Sequence, residues 1–311
     1  MLKSPAPLHA VQLRISIFIS VNFFYMKYFF FFLLPLVCFA QNSRNYPPVI
    51  TDAQEHIYKK ASGIELKLWV YPPSQQKKKT AVILFFFGGG FRNGSPEQFI
   101  AQARYFASRG ISAIVVDYRV FSRNQVKPIE CLADAKDAIQ WVRRNAEMLN
   151  ISPNKIIASG GSAGGYLAAA TYFVDREITG NVGEIDEKPN ALVLFNPAGM
   201  DVSKINEASF TVRFGAAKSE CNLIELVGDK APPTLILHGD KDKIVSISTV
   251  RNFTQKMNAL GHKCTLVEYI GEPHGFFNYG RLTNGPFYHT IAEADAFLRG
   301  IGLLPSFPQT R

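Results

Sequence analysis

Three side chains in this 311-residue chain are of the types, and in the settings, that perform acyl transfer. The first is Ser162, in Gly160-Gly161-Ser162-Ala163-Gly164-Gly165, between a strand-like run ending near Ser159 and an Ala-rich helical run from Tyr166. Glycine two residues before and two after a serine suits a sharp strand-turn-helix connection, because side chains there would strike the adjoining strand and helix. A phosphate loop would instead carry GK[ST] or G-x-G-x-x-G, and neither pattern fits. The second feature is Phe87-Gly88-Gly89-Gly90-Phe91. Three successive glycines leave backbone N–H groups free to point at a bound oxygen. The N–H groups of Gly89 and Gly90, with that of Ala163, would hold the charge of a tetrahedral intermediate, a contribution of about 3 kcal/mol per donor.

A serine nucleophile needs a base, and His274 has the setting for one, in the loop Gly-Glu-Pro-His-Gly-Phe-Phe that follows a strand. His9 falls in the leader, His56 in a peripheral hairpin and His262 at the amino end of a strand, while His238 reads as a packed residue closing one. The acid that orients the base should come from the loop after the preceding strand. That loop, His-Gly-Asp-Lys-Asp-Lys-Ile-Val, offers Asp240 and Asp242, and spacing admits either. The chain order Ser, Asp, His is that of a Ser-His-Asp system on an α/β sheet. His274 would then take the Ser162 proton while the acid holds its tautomer, and water would hydrolyse the acyl-enzyme that forms.

These residues need a scaffold that brings distant loops together. Residues 53–60 and 64–71 read as a peripheral hairpin ending at Pro72-Pro73. The run 81–87 is apolar without alternation, as a strand buried on both faces should be. Helix 96–108, strand 111–117, helix 128–149, strand 155–159 and helix 163–175 follow, then strands 191–195, 234–238 and 264–270 with helices near 246–260 and 286–300. This βα alternation predicts a three-layer α/β sandwich with a mostly parallel sheet of eight strands and its ligand site beyond the carboxyl ends of the strands.

Composition narrows the rest. At 47% hydrophobic and 19% charged residues the chain reads as globular rather than disordered or coiled-coil. Residues 1–40 hold eight of the 25 Phe and no acid. Without them Lys+Arg falls to 31 against 25 acids, so the net charge drops from +9 to +6. The one dense basic run, Lys77 to Lys79, reads as a solvated loop, and no nucleic-acid-binding pattern is present. Residues 1–40 are expected to be a secretory signal. Starting at Met26 gives a basic n-region, a core at 29–37 and a Cys38-Phe39-Ala40 cleavage site before Gln41. Residues 41–311 would form the catalytic domain, secreted or periplasmic, with membrane contact only through an uncleaved signal or a lipid anchor on Cys38. Cys131, Cys221 and Cys264 remain in that mature chain, read as small buried hydrophobes with at most one disulfide. No metal or other cofactor is expected, and the sequence carries no sign of an oligomer interface.

The motifs together resemble those of the α/β-hydrolases of the secreted acetyl esterase and lipase type, related to the hormone-sensitive-lipase and xylan-esterase branches. The landmarks are FFFGGGF at 85–91, VDYR at 116–119, ECLADAKDAIQWVRRN at 130–145, GGSAGG at 160–165, LFNP at 194–197, HGDKDKIV at 238–245 and PHGFFNYG at 273–280. The resemblance implies the α/β-hydrolase fold, no cofactor, and the second aspartate, Asp242, as the acid. One departure stands out: Phe87 occupies the place of the usual His before the glycines, which implies a different packing anchor for that loop. A small cap over 197–231, carrying Met200, Phe210 and Phe214, would leave an open site, with Phe91 and Phe276 as substrate-binding aromatics. The expected activity is a serine carboxylesterase for short-chain acyl esters, O-acetyl groups on carbohydrate among them. Two alternatives remain: a serine peptidase of the prolyl-oligopeptidase type, and a non-catalytic binding protein on the same fold. The roughly 40 residues before the core strand leave no room for the propeller of the first, and the complete set of site residues disfavours the second.

Overall fold

The unbroken apolar run at Ala81 forms the middle of the molecule. In the computed structural model, which describes residues 46–74, 79–180, 185–281 and 283–306, it is strand β3 (Thr80–Phe86), with six of its seven residues buried. The expected signal segment, Gln41, Lys77 and Lys78 lie outside the described residues. The other strands are β1 (Gln54–Ala61), β2 (Ile64–Tyr71), β4 (Ser112–Val116), β5 (Ile151–Gly161), β6 (Ala191–Phe195), β7 (Thr234–Gly239) and β8 (Cys264–Tyr269). They form one eight-stranded sheet in the order β1-β2-β4-β3-β5-β6-β7-β8. Pairing is antiparallel from β1 through β2 to β4 and parallel across all the rest. This is the α/β-hydrolase fold expected from the sequence.

Period-two alternation along β3 divides the core. Val82, Leu84 and Phe86 face a cluster formed with α3 (Pro128–Arg144), α4 (Ala163–Phe173) and α8 (Ile247–Ala259). Ala81, Ile83 and Phe85 face the opposite cluster, built with α1 (Ile100–Ser108) and α9 (Gly285–Gly300). A strand covered on both faces has no polar face to show, which is why its sequence does not alternate. Short helices α2 (Phe121–Asn124), α5 (Glu207–Phe214), α6 (Lys218–Cys221) and α7 (Leu223–Leu226) complete the set of α-helices among the described residues.

The sequence landmarks mark packing joints. The guanidinium of Arg119, just after β4, donates from Nε and Nη2 to the two carboxylate oxygens of Asp134 on α3, both at 2.8 Å. Both residues are buried, so each ion answers the desolvation of the other and ties the loop after β4 to the helix. Element ends differ from expectation where the chain must turn. The expected helix 96–108 begins as a 3₁₀ turn over Pro96–Phe99. The expected helix 128–149 stops at Arg144, because the backbone then reverses so that Ile151 N–H reaches the Ala146 carbonyl at 2.9 Å. Strand β5 therefore starts at Ile151, where it pairs with Thr80. Cys131, Cys221 and Cys264 are buried free thiols. Burial pushes the Cys264 thiol up to about 11 and that of Cys221 to about 12, so neither is a reactive thiolate at neutral pH.

Candidate active site

The site sits at the carboxyl ends of β5, β7 and β8. At the end of β5 the chain turns within one residue: Ser162 adopts φ 53° and ψ −117°, and α4 starts at the next position. The turn has no spare volume. A Cβ on Gly164 would stand 2.0 Å from the Phe86 carbonyl oxygen and 2.3 Å from that of Phe87, so α4 can lie this close to β3 only with glycine there. Gly164→Ala is expected to destabilise the protein by at least about 3 kcal/mol. In a thermal melt that is a Tm lower by roughly 6–12 °C, and an unchanged Tm would contradict the packing described.

The hydroxyl this turn presents meets the base. Ser162 Oγ is 3.0 Å from His274 Nε2, and His274 Nδ1 is 2.6 Å from Asp242 Oδ2. Ser162 is half-buried and so within reach of solvent. The Asp242 side chain is fully buried, while that of His274 keeps 22% exposure. The second oxygen of Asp242 accepts the backbone N–H groups of Ile244 and Val245 at 2.8 and 2.9 Å. Burial would push this carboxyl up, but the bond from His274 and the two backbone donors overcome it and hold the group below the usual carboxylate range. The acid is therefore ionised, with His274 Nδ1–H as its donor.

The two aspartates that spacing left open have different work. Asp240 Oδ1 accepts the N–H of Gly271 at 2.7 Å, and the N–H groups of Asp240 and Lys241 reach the carbonyls of Tyr269 and Glu272. Asp240 thus stitches the acid turn to the loop that carries the base, and Asp242 alone touches His274. From the other side, Asn196 at the end of β6 accepts the Gly275 N–H at 2.9 Å through its buried amide. Sequence reading missed Asn196, whose only signal was its place in LFNP at a strand end.

The glycine loop lies against the elbow: a Cβ on Gly88 would be 3.0 Å from the Gly161 carbonyl and 3.3 Å from Ser162 Cβ. Gly88 gives its N–H to Gln98 Oε1 at 2.6 Å, which leaves Gly89, Gly90 and Ala163 as the candidate oxyanion donors. Gly89 has φ 132°, and a Cβ there would collide with the Asn93 carbonyl oxygen at 2.1 Å. The replacement anchor implied by Phe87 is present. Its buried ring stacks on Tyr118 at 4.0 Å, Arg123 approaches the ring at 5.9 Å, and the Tyr118 hydroxyl donates to the Phe87 carbonyl at 2.6 Å.

The expected substrate-binding aromatics separate. Phe91 is half-buried and meets Tyr166 and Phe214 edge-on at 5.9 and 6.2 Å, between the elbow helix and the cap. Phe276 does not line an open site: it is 3% exposed and packs on Tyr269 at 4.8 Å, because the loop after His274 must cover the end of β8. Met200, Phe210 and Phe214 of the cap are likewise buried in the core. A cavity of about 460 Å³ among Tyr46, Leu66, Asp117 and Arg123 contains none of Ser162, His274 or Asp242. Among the described residues no helix is long and apolar enough to cross a membrane, and no His/Cys/Asp/Glu group could hold a metal ion.

Known proteins are similar to this chain in sequence and fold. Residues 68–257 match the BD-FAE family. Est2, a thermophilic esterase from the planctomycete Thermogutta terrifontis, is 41% identical in its propionate-bound structure, with TM-score 0.80 over 84% of this chain and 99% of that one. Its butyrate-bound form is 40% identical at the same TM-score over 85% and 99%, and it has also been solved phosphoramylated by tabun. Esterase LipU of Mycobacterium tuberculosis is 34% identical over 84 residues, 27% of this chain. The non-reducing polyketide synthase ascC of Acremonium egyptiacum is 34% identical over 126 residues, 38% of this chain. The chain spans only 24% and 6% of the lengths of these two curated relatives. By fold and family, the chain belongs to the BD-FAE family and is an α/β-hydrolase enzyme of the esterase type.

Proposed function

We propose that the protein is a secreted serine carboxylesterase that hydrolyses short-chain acyl esters, O-acetyl groups on carbohydrate among them, through Ser162, His274 and Asp242. The observation that carries this reading is the continuous chain from Asp242 through His274 to the Oγ of a half-buried Ser162, with steps of 2.6 and 3.0 Å. In acylation, Ser162 Oγ attacks the ester carbonyl carbon as its proton passes to His274 Nε2. Asp242 accepts the Nδ1–H bond throughout and stabilises the imidazolium. The carbonyl oxygen becomes an oxyanion facing the N–H groups of Gly89, Gly90 and Ala163, at the amino end of α4. The intermediate collapses by breaking the bond to the alcohol oxygen, which leaves with the proton from His274. Water then attacks the acyl-enzyme by the same route, and the acid and free Ser162 are released.

Support for short acyl groups comes from Phe91, wedged against Tyr166 and Phe214 beside the elbow, and from the propionate- and butyrate-bound forms of the Est2 relative. The N-terminal reading supports export, with a mature chain from Gln41. Hydrolysis of p-nitrophenyl esters from acetyl to decanoyl by that chain tests the reading. The expected kcat/KM is highest between acetyl and butyryl and falls with length, and all activity is lost in His274→Ala. A profile that rises toward decanoyl would overturn the acyl preference. N-terminal sequencing of the exported full-length product is expected to begin at Gln41.

A further inference from the structure

Outside the three reacting side chains, one buried titratable group touches the catalytic acid. His238 closes β7 and is fully buried. Its Nε2 lies 3.0 Å from the Val245 carbonyl oxygen and 3.4 Å from Asp242 Oδ2, the same oxygen that takes His274. Both neighbours of Nε2 are acceptors, so Nε2 carries the proton. Nδ1 is buried with no partner, which leaves it unprotonated. Burial lowers the pKa of this imidazole against the opposing pull of the Val245 carbonyl and Asp242, so the ring is neutral. The titratable groups around it are Asp242, His274 and, in register on β8, Glu268.

The contacts form a closed ring. Val245 accepts from His238 through its carbonyl and donates its N–H to Asp242 Oδ1. The side chain of His238 thereby bridges the mouth of the turn that it begins and Val245 ends, with Asp242 at the middle. The Oδ1 side of the carboxylate is held by two backbone donors, and the Oδ2 side by His274 and the edge of His238. Rotation of the carboxylate is opposed at both oxygens.

We propose that His238 is a positioning residue for the ester-hydrolysing triad: its neutral Nε2–H, shared between the Val245 carbonyl and Asp242 Oδ2, fixes the carboxylate in the orientation that receives His274. The proposal rests on the Ser162-His274-Asp242 reading above. Its test uses His238→Gln, whose amide N–H reaches the place of Nε2–H, and His238→Met, which fills similar volume without a donor, beside Ser162→Ala. His238→Met is expected to lower kcat on p-nitrophenyl acetate about tenfold with KM unchanged, the effect of one lost donor. His238→Gln restores kcat to within about threefold of wild type. Wild-type kcat in His238→Met, or equal losses in both variants that track a falling Tm, would overturn the proposal and leave a packing role. A measurement on the unaltered protein guards against variants that fail to fold. Imidazole ¹⁵N NMR is expected to show His238 as the neutral Nε2–H tautomer across neutral pH, and an Nδ1–H tautomer overturns the proposal. Activity in Ser162→Ala at about 1% of wild-type kcat or above would instead overturn the triad reading, a distinct failure.

Discussion

Ser162→Ala is expected to lower kcat on p-nitrophenyl acetate by about 10⁵- to 10⁶-fold while leaving the fold in place. The hydroxyl is hydrogen-bonded to His274 Nε2 at 3.0 Å. What holds the elbow is backbone: Ser162 N–H to the Phe195 carbonyl, and the N–H groups of Tyr166 and Ala198 to the Ser162 carbonyl. None of these uses Oγ, and alanine keeps all three. The loss should therefore fall on catalysis and not on Tm. What survives in the variant is the rate supplied by the oxyanion donors and by binding, which do not need the nucleophile. Labelling makes the assignment direct: an organophosphate should add one phosphoryl group to the wild-type chain, visible by intact mass, and none to Ser162→Ala. A variant that retains 1% of wild-type kcat and still takes the label would place the nucleophile elsewhere.

Asp242→Asn is expected to lower kcat at neutral pH by about 10⁴-fold, and the direction follows from how the amide must sit. Ile244 and Val245 both aim N–H groups at Oδ1. The amide oxygen of asparagine will take that place, because turning the NH₂ there would oppose donors to donors. The NH₂ then faces His274 Nδ1 and the His238 Nε2–H. His274 is forced to accept at Nδ1 and to carry its proton on Nε2, where it cannot receive the proton of Ser162. Asp240→Asn provides the contrast. The bond that Asp240 accepts from Gly271 survives in an amide oxygen, so kcat should stay within about threefold of wild type. If Asp240→Asn were the variant that loses activity, the assignment of the acid would be reversed.

Much of the fold was legible because it follows from burial pattern. Ala81 to Phe87 had to be covered on both faces, and it is the centre of the sheet. The elbow was legible because its glycines stand at fixed offsets from the serine, although the atoms that exclude a Cβ there come largely from distant segments: Phe86 and Phe87 at Gly164, Phe277 at Gly161 and Pro197 at Gly165. Phe91 and Phe276 show the other case. Both are Phe beside a glycine in site loops, yet one stands half-exposed between elbow and cap and the other is packed over β8. Their surroundings come from segments distant in sequence, so local pattern carried no signal that could part them. The same holds for the cap: Met200 and Phe210 were expected around an open site and are instead buried in the core.

The sequence by itself determined the chemistry available: a serine in a tight glycine turn, a glycine loop after a buried strand, and an acid and a histidine after two later strands. These are properties of residue type, order and short-range backbone geometry. Only the tertiary structure decided which aspartate meets His274, that Asn196 and His238 contact the loops of the site, and that Phe276 is buried. Ser162 and His274 are 112 residues apart, and His274 and Asp242 are 32. They meet because the parallel order β5-β6-β7-β8 lines up their carboxyl ends. Which side chain then points into that edge is set by bonds across the loops, such as Asp240 to Gly271, that spacing along the chain does not encode.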